Sequence, residues 1–196
     1  MDYRKDIIEY IELEREVLSN LNVNALNEAM QLIEEAYRNR KKVYIFGNGG
    51  SSATASHYQN DFNKGLSETL ETKFEFVCLN SDTATLMAIA NDMGFEEVFR
   101  YQLQGRIREG DLVIALSGSG NSRNILNAVE YAKEQGNKVI GLTGIKGGKL
   151  MEEADVSLHV PVNSMQVTED VHMIFDHLMV SVFYKHLCGL DHMKMY

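Results

Sequence analysis

The apolar positions of this chain keep two different periods, and the change falls near residue 40. Over residues 2–20, Ile7, Ile8, Ile11, Val17 and Leu18 recur at helical spacing among many charges. Residues 24–39 repeat the habit with Leu26, Met30, Ile33 and Tyr37, behind Asn24 as an N-cap. Two amphipathic helices with a short link make a hairpin whose apolar stripe has to be buried. It packs either on its own domain or, the reading favoured here, on a second subunit. From Val43 onward, short apolar runs alternate with helix-compatible stretches. The runs at 43–46, 74–79, 112–116, 138–142 and 156–160 read as strands. Those at 51–63, 82–90, 95–106, 122–135, 147–153 and about 167–186 read as helices. Short strands joined through helices predict parallel pairing with right-handed crossovers and cover on both faces. The expected fold is α/β, a three-layer α/β/α sandwich. No repeat, low-complexity tract or linker divides the chain, so a single domain over 1–196 is expected, ending in a loose tail at 189–196.

In such a sheet, ligands bind beyond the carboxyl ends of the strands. Two of those ends carry unusual sequences. After the first strand comes Gly47-Asn48-Gly49-Gly50-Ser51, a strand that turns through glycines into a helix start. That geometry points unpaired backbone N–H groups, and the positive end of the helix dipole, at one spot. It is an anion site, most often for phosphate. After the third strand comes Ser117-Gly118-Ser119-Gly120-Asn121-Ser122, whose hydroxyls can donate to phosphate oxygens before another helix start. Either loop alone is compatible with an ordinary turn; two at the ends of strands in one sheet are harder to dismiss. The spacing matches neither the dinucleotide fingerprint nor the P-loop, which counts against nicotinamide cofactors and ATP. No arginine clamp is evident, and Lys64 and Arg123 are the nearest basic residues.

Composition narrows the partners. The chain has 196 residues and a formal net charge of −9, which opposes nonspecific binding to nucleic acid or anionic membranes. Any phosphate must therefore be held locally. Two cysteines, Cys78 and Cys188, are too few for a disulfide scaffold and read as free thiols in a reducing compartment. The charged N-terminus is not a secretory signal and no apolar run is long enough to span a membrane, so a cytoplasmic location is expected.

The motifs FGNGGSSATASH, AIANDMGF, LSGSGNS, VIGLTGIKGG and TEDVHMIFDH resemble, in that order, those of the sugar isomerase (SIS) domain family. Within it the chain is most similar to the phosphoheptose isomerases, which interconvert sedoheptulose 7-phosphate and a D-glycero-heptose 7-phosphate. The resemblance implies a five-stranded parallel sheet of flavodoxin-like type. It also implies a homotetramer, with residues 1–40 as oligomerisation helices, 41–188 as the α/β core and active sites between subunits. Phosphate and substrate contacts carry over to Asn48, Gly49, Gly50, Ser51, Asp92, Ser117, Ser119, Ser122 and Glu169. Where the family usually has a threonine between its first two serines, this chain has Gly118.

The resemblance further implies Asp61 as general base and His177 as general acid. In some members the positions of His57, Asp61, Glu169 and His177 also bind zinc, with no organic cofactor. Two histidines and two carboxylates suit zinc or another transition metal. Two positions depart from the family: its base is a glutamate where this chain has Asp61, and its glutamine is here Glu169. The shorter aspartate matters, since a displacement of about 1 Å can cost on the order of 100-fold in rate. The expected reaction is an aldose–ketose isomerisation, with a proton removed beside a carbonyl to give an enediol. The alternatives are a noncatalytic SIS protein that binds a phosphosugar or scaffolds a partner, and an isomerase of another sugar phosphate. The presence of ionisable Asp61 and His177 favours an enzyme. His172, nearby in sequence, is expected to have a supporting role at most.

Overall fold

The structure, a computed structural model, describes residues 1–190; the end of the expected tail, 191–196, lies outside the described residues. The element order is α1(Arg4–Ser19), α2(Val23–Arg38), β1(Val43–Gly47), α3(Gly50–Asn60), β2(Phe76–Cys78), α4(Thr83–Asp92), α5(Arg100–Leu103), β3(Leu112–Ser117), α6(Arg123–Glu134), β4(Lys138–Gly144), α7(Gly148–Glu153), β5(Val156–Val160) and α8(Met165–Leu187). All five strands are parallel, in the order β2-β1-β3-β4-β5. This is the flavodoxin-like order, and its switch point, where connections leave in opposite directions, lies between β1 and β3.

Strand period 2 divides the core into two layers. Val43, Ile45, Leu112, Ile114, Ile140 and Leu142 face α2, α3 and α8. Tyr44, Phe46, Val113, Ala115 and Val139 face α4, α5 and α6. The register explains the parity, because Val43 pairs with Leu112 and Tyr44 with Val113.

Four local expectations need correction. The N-cap of α2 is Asn22, not Asn24; its side chain accepts from the Ala25 N–H. The second strand is shorter than 74–79; it is an edge strand paired with β1, and side chains satisfy backbone groups on and beside its open edge. Asn63 bonds both ways with Phe76, Gln59 accepts from the Cys78 N–H, and the Ser67 hydroxyl accepts from the Phe74 N–H. The stretch at 95–106 is not one helix. It holds a 3-10 turn at Phe95–Glu97 and the single turn of α5, and Gly105 then breaks the run with φ +68°. Finally, α3 does not run straight to residue 63. After Asn60 it widens into a π turn, Asp61–Gly65. Phe62 locks this turn, stacked on Phe76 at 4.2 Å between ring centres and meeting Phe74 and Phe183 edge-on. Such wide turns recur at functional sites.

The hairpin splits its allegiance. Helix α2 buries Ala25, Leu26, Ala29, Ile33 and Ala36 on its own sheet. Helix α1 buries nothing fully, and Tyr3, Ile7, Ile8 and Ile11 are 55–59% exposed. The Tyr10 hydroxyl fastens α1 to the start of α8 by donating to the Asp170 carboxylate. Both cysteines are free, Cys78 buried and Cys188 half-buried. Among the described residues no helix is long and apolar enough to cross a membrane.

Candidate active site

The two loops leave neighbouring strands, β1 and β3, on either side of the switch point. Their walls are joined by a reciprocal pair: the Asn48 and Asn124 amides each donate to the other's oxygen at 2.9 Å. In the serine loop, Gly120 N–H donates to the Ser117 carbonyl and Ser117 Oγ donates to Ser122 Oγ at 3.3 Å. Ser117 is buried, Ser122 half-buried as the residue before α6, and Ser119 exposed. The Ser119 hydroxyl accepts only a long bond from Asn121 N–H, 3.3 Å, so it has capacity to spare for a ligand. In the first turn, Gly49 takes φ +55° and ends on the first residue of α3, while Ser51 is buried. A cleft of about 810 Å³ opens beside both loops, lined by Asn48, Ser122, Arg123, Asn124 and Arg100 among others. Arg100, which lines this cleft, is not among the residues the sequence singles out.

Gly118 and Gly50 have close neighbours. A Cβ on Gly118 would lie 2.5 Å from Met165 Sδ. The thioether from the start of α8 thus fills the space where the resemblance leads one to expect a threonine. A Cβ on Gly50 would fall on the Glu169 carboxylate. Glu169 therefore sits at the N-terminus of α3, where the helix dipole favours negative charge.

Gly50 and Glu169 bring the starts of α3 and α8 together, so the helices run side by side in the same direction. Farther along, they face each other through a compact polar cluster. His57 Nε2 lies 3.1 Å from His177 Nε2, 3.4 Å from Asp61 Oδ2 and 3.9 Å from Asp176 Oδ2. His177 Nε2 lies 4.0 Å from Asp61 Oδ2. His57 and Asp61 share a helix face by their i,i+4 spacing. The structure brings together His57, Asp61 and His177, three of the four positions expected to hold a metal, and adds Asp176. The four donors lie within 4.8 Å of one another; Glu169 is not part of that group. Asp176 is wholly buried and neither carboxylate oxygen has a hydrogen-bond partner. Burial, and then the charge of Asp61, pushes its carboxyl up to about 8. Imidazole nitrogens beside carboxylates are a fitting donor set for a divalent transition metal, and an orphaned buried carboxylate is what such an ion would satisfy.

The remaining candidates fall outside this centre. Asp92 closes α4, exposed, its carboxylate accepting from Asn91 Nδ2 at 2.7 Å. Lys64 is paired with Glu68 at 2.7 Å on the far side of the π turn. Arg123 opens α6 and lines the cleft. His172 is buried; its Nε2 donates to the Thr143 carbonyl at 3.3 Å, and its own carbonyl accepts from the Tyr58 hydroxyl. It lies in the core.

His172 also makes an acid-stability prediction. Burial pulls its pKa from 6.5 down to about 4, opposed by the Thr143 carbonyl and reinforced by His159. Below the ordinary value the unfolded chain takes up a proton that the native chain refuses. The stabilisation is therefore complete above pH 6.5 and is lost as pH falls toward 4, by about 3 kcal/mol in all. His172→Gln keeps the donor and should remove that part of the slope. Urea unfolding of both proteins from pH 7 to 4 measures it; parallel curves would rule it out.

A family model described as the SIS domain matches residues 7–144. The chain belongs to the SIS domain family. A phosphoheptose isomerase of Aliarcobacter butzleri is 38% identical over 80% of this chain and 82% of its own. One from Sulfurimonas denitrificans is 34% identical over 95% of each. Among solved structures, a phosphoheptose isomerase from Neisseria gonorrhoeae superposes with a TM-score of 0.82 at 32% identity, covering 91% of this chain and 95% of that one. A phosphoheptose isomerase from Francisella tularensis gives 0.85 at 28% identity, covering 93% and 98%. The SIS match spans the loops after β1 and β3 and the α3 half of the polar cluster. The α8 half, with Glu169, Asp176 and His177, lies beyond it, but the 187-residue match to the Sulfurimonas protein is long enough to take it in.

Proposed function

We propose that this protein is an aldose–ketose isomerase that interconverts sedoheptulose 7-phosphate and a D-glycero-heptose 7-phosphate through an enediol. The observation that carries the reading is the placement of an ionisable acid–base pair, Asp61 and His177, along two helices whose starts meet at the glycine turn. From Gly50 to His57 the helix rises about 10 Å. An extended sugar phosphate held at the loops can thus reach the cluster with its carbonyl end. Ser117, Ser119 and Ser122, with Ser51 and Asn48 from the first turn, grip the phosphate, and Gly49 and Gly50 give the sugar room beside Glu169. Asp92 and Glu169 contact the sugar.

Asp61 takes the proton from the carbon beside the carbonyl, and His177 moves protons between the oxygens. His57, 3.1 Å from His177 and 3.4 Å from Asp61, orients both. A divalent metal such as zinc, held by His57, Asp61 and His177 with one further carboxylate, would polarise the carbonyl. The direct test is NMR of the protein with sedoheptulose 7-phosphate in deuterium oxide, with and without zinc. Deuterium should enter the position next to the carbonyl. If no heptose, hexose or pentose phosphate exchanges, the isomerase reading fails.

Two further expectations belong to this reading. Ser119→Ala should weaken sugar-phosphate binding by about 1–2 kcal/mol, the scale of one charge-assisted hydrogen bond. Unchanged affinity in calorimetry would count against phosphate at the serine loop. The single domain works as a cytoplasmic homotetramer, with residues 1–40 between subunits. The exposed stripe of Tyr3, Ile7, Ile8 and Ile11 supports this, because a helix with no buried face needs a partner. Light scattering should give about four times the chain mass, and a monomer at micromolar concentration would overturn it.

A further inference from the structure

Asp176 is the one member of the polar cluster that the reaction does not use. On α8 it directly precedes His177, and about 100° of helix rotation turns the two side chains apart. His177 looks outward, with its side chain 56% exposed, while the Asp176 side chain is fully buried beneath His57. A carboxylate in that position ordinarily gathers two or more donors. Here both oxygens lack one, and His57 Nε2 lies 3.9 Å from Oδ2.

The spacing of the cluster shows what would satisfy it. A tetrahedral ion bound at about 2.1 Å separates its donor atoms by roughly 3.4 Å. Four of the six donor pairs lie 3.1, 3.4, 3.9 and 4.0 Å apart, bracketing that edge length, and all lie within 4.8 Å. Two imidazole nitrogens point at each other and two aspartates close the remaining corners, one from the π turn and one from below. Glu169, the carboxylate the sequence suggested for the fourth corner, is engaged at the N-terminus of α3 instead.

We propose that Asp176 is a metal ligand: His57, Asp61, Asp176 and His177 bind one divalent transition-metal ion as a two-histidine, two-aspartate set, and Glu169 stays at the glycine turn. The buried aspartate anchors the ion from the protein side. Imidazole with carboxylate selects a zinc-like ion over magnesium or calcium, which take all-oxygen shells. This assignment does not depend on the sugar, since metal binding is read without substrate.

The test uses metal-stripped full-length protein titrated with zinc chloride by calorimetry, and with cobalt(II) by visible absorption. Wild type should bind one zinc per chain and give the intense cobalt spectrum of a tetrahedral site. Asp176→Asn keeps size and shape, and should weaken zinc at least ~100-fold with loss of that spectrum. Glu169→Gln should change zinc affinity by less than about threefold. An X-ray absorption or anomalous-difference measurement on zinc-loaded wild type gives the same answer without any variant, by locating the carboxylates around the ion. The proposal is overturned if Asp176→Asn binds zinc like wild type, if Glu169→Gln is the variant that loses it, or if wild type binds no zinc. None of these outcomes bears on deuterium exchange without metal, so the ligand set and the isomerase reading fail separately.

Discussion

Asp61→Asn should abolish deuterium incorporation into sedoheptulose 7-phosphate, by on the order of 1000-fold or more, the full contribution of a positioned base. The substitution keeps the size of the side chain and removes its basicity. Asp61 sits where α3 gives way to the π turn, and its Oδ1 already accepts from the Asn60 amide, so an isosteric amide should not disturb the fold. Sugar-phosphate affinity should change by less than about threefold, because the phosphate grip proposed above lies at the other end of the helix. Measuring exchange and binding on the same sample separates a lost base from a lost site. Exchange should vanish with and without added zinc; survival of exchange in either condition would remove Asp61 from the base role. Asp61→Glu then asks why this chain carries the shorter acid. Faster heptose exchange would mark a site that has drifted from its relatives' substrate. Slower exchange would mark a pocket shaped for aspartate, with the π turn bringing the shorter side chain forward to compensate for the missing methylene.

The features that were legible from the sequence share a physical cause. The three central strands are apolar runs set by burial on both faces, and each loop proposed to hold phosphate is a glycine- or serine-rich break that no strand or helix could absorb. Those signals are local and strong, so five strands, their parallel pairing and both loops follow from the sequence. What was hidden depends on contacts between distant segments. The stretch at 95–106 looks helical by composition, yet Gln102 instead donates to the Leu79 and Val98 carbonyls and Gly105 turns the chain away. The π turn after Asn60 has no local signature; it is held by Phe62 among rings from β2 and α8. Asp176 lies in the apolar run MIFDHLMV, where one charge among buried residues was the available signal. Family resemblance drew attention to Glu169 instead. Only the packing of α3 on α8 distinguishes the two carboxylates, sending Asp176 to the histidines and Glu169 to Gly50.

The serine loop carries the second large effect. Gly120→Ala should destabilise the protein by about 3 kcal/mol or more and weaken sugar-phosphate binding about 100-fold. Gly120 holds φ +65°, a conformation that L side chains adopt at a cost of about 1 kcal/mol. The larger penalty is steric. A Cβ there would fall on the Gly147 carbonyl, with its carbon at 2.5 Å and Gly148 Cα at 3.0 Å. These are backbone atoms, so no side chain can rotate out of the way. The loop is also tied on both sides, through Gly120 N–H to the Ser117 carbonyl and through its own carbonyl to Leu150 N–H at 3.0 Å. Relief requires the 117–122 segment to move bodily away from α7, carrying Ser119 and the start of α6 with it. A shift of about 1 Å would misalign the phosphate donors. Gly136→Ala provides the control: its φ is +78°, but nothing lies within 4 Å of the added carbon, so only the conformational part should be lost. Urea unfolding of the two variants isolates the steric part as their difference, and calorimetry with a sugar phosphate shows whether it reaches the site. Equal losses of stability in the two would mean that the contact between the serine loop and Gly147 carries no weight, and an unchanged affinity in Gly120→Ala would place the phosphate elsewhere.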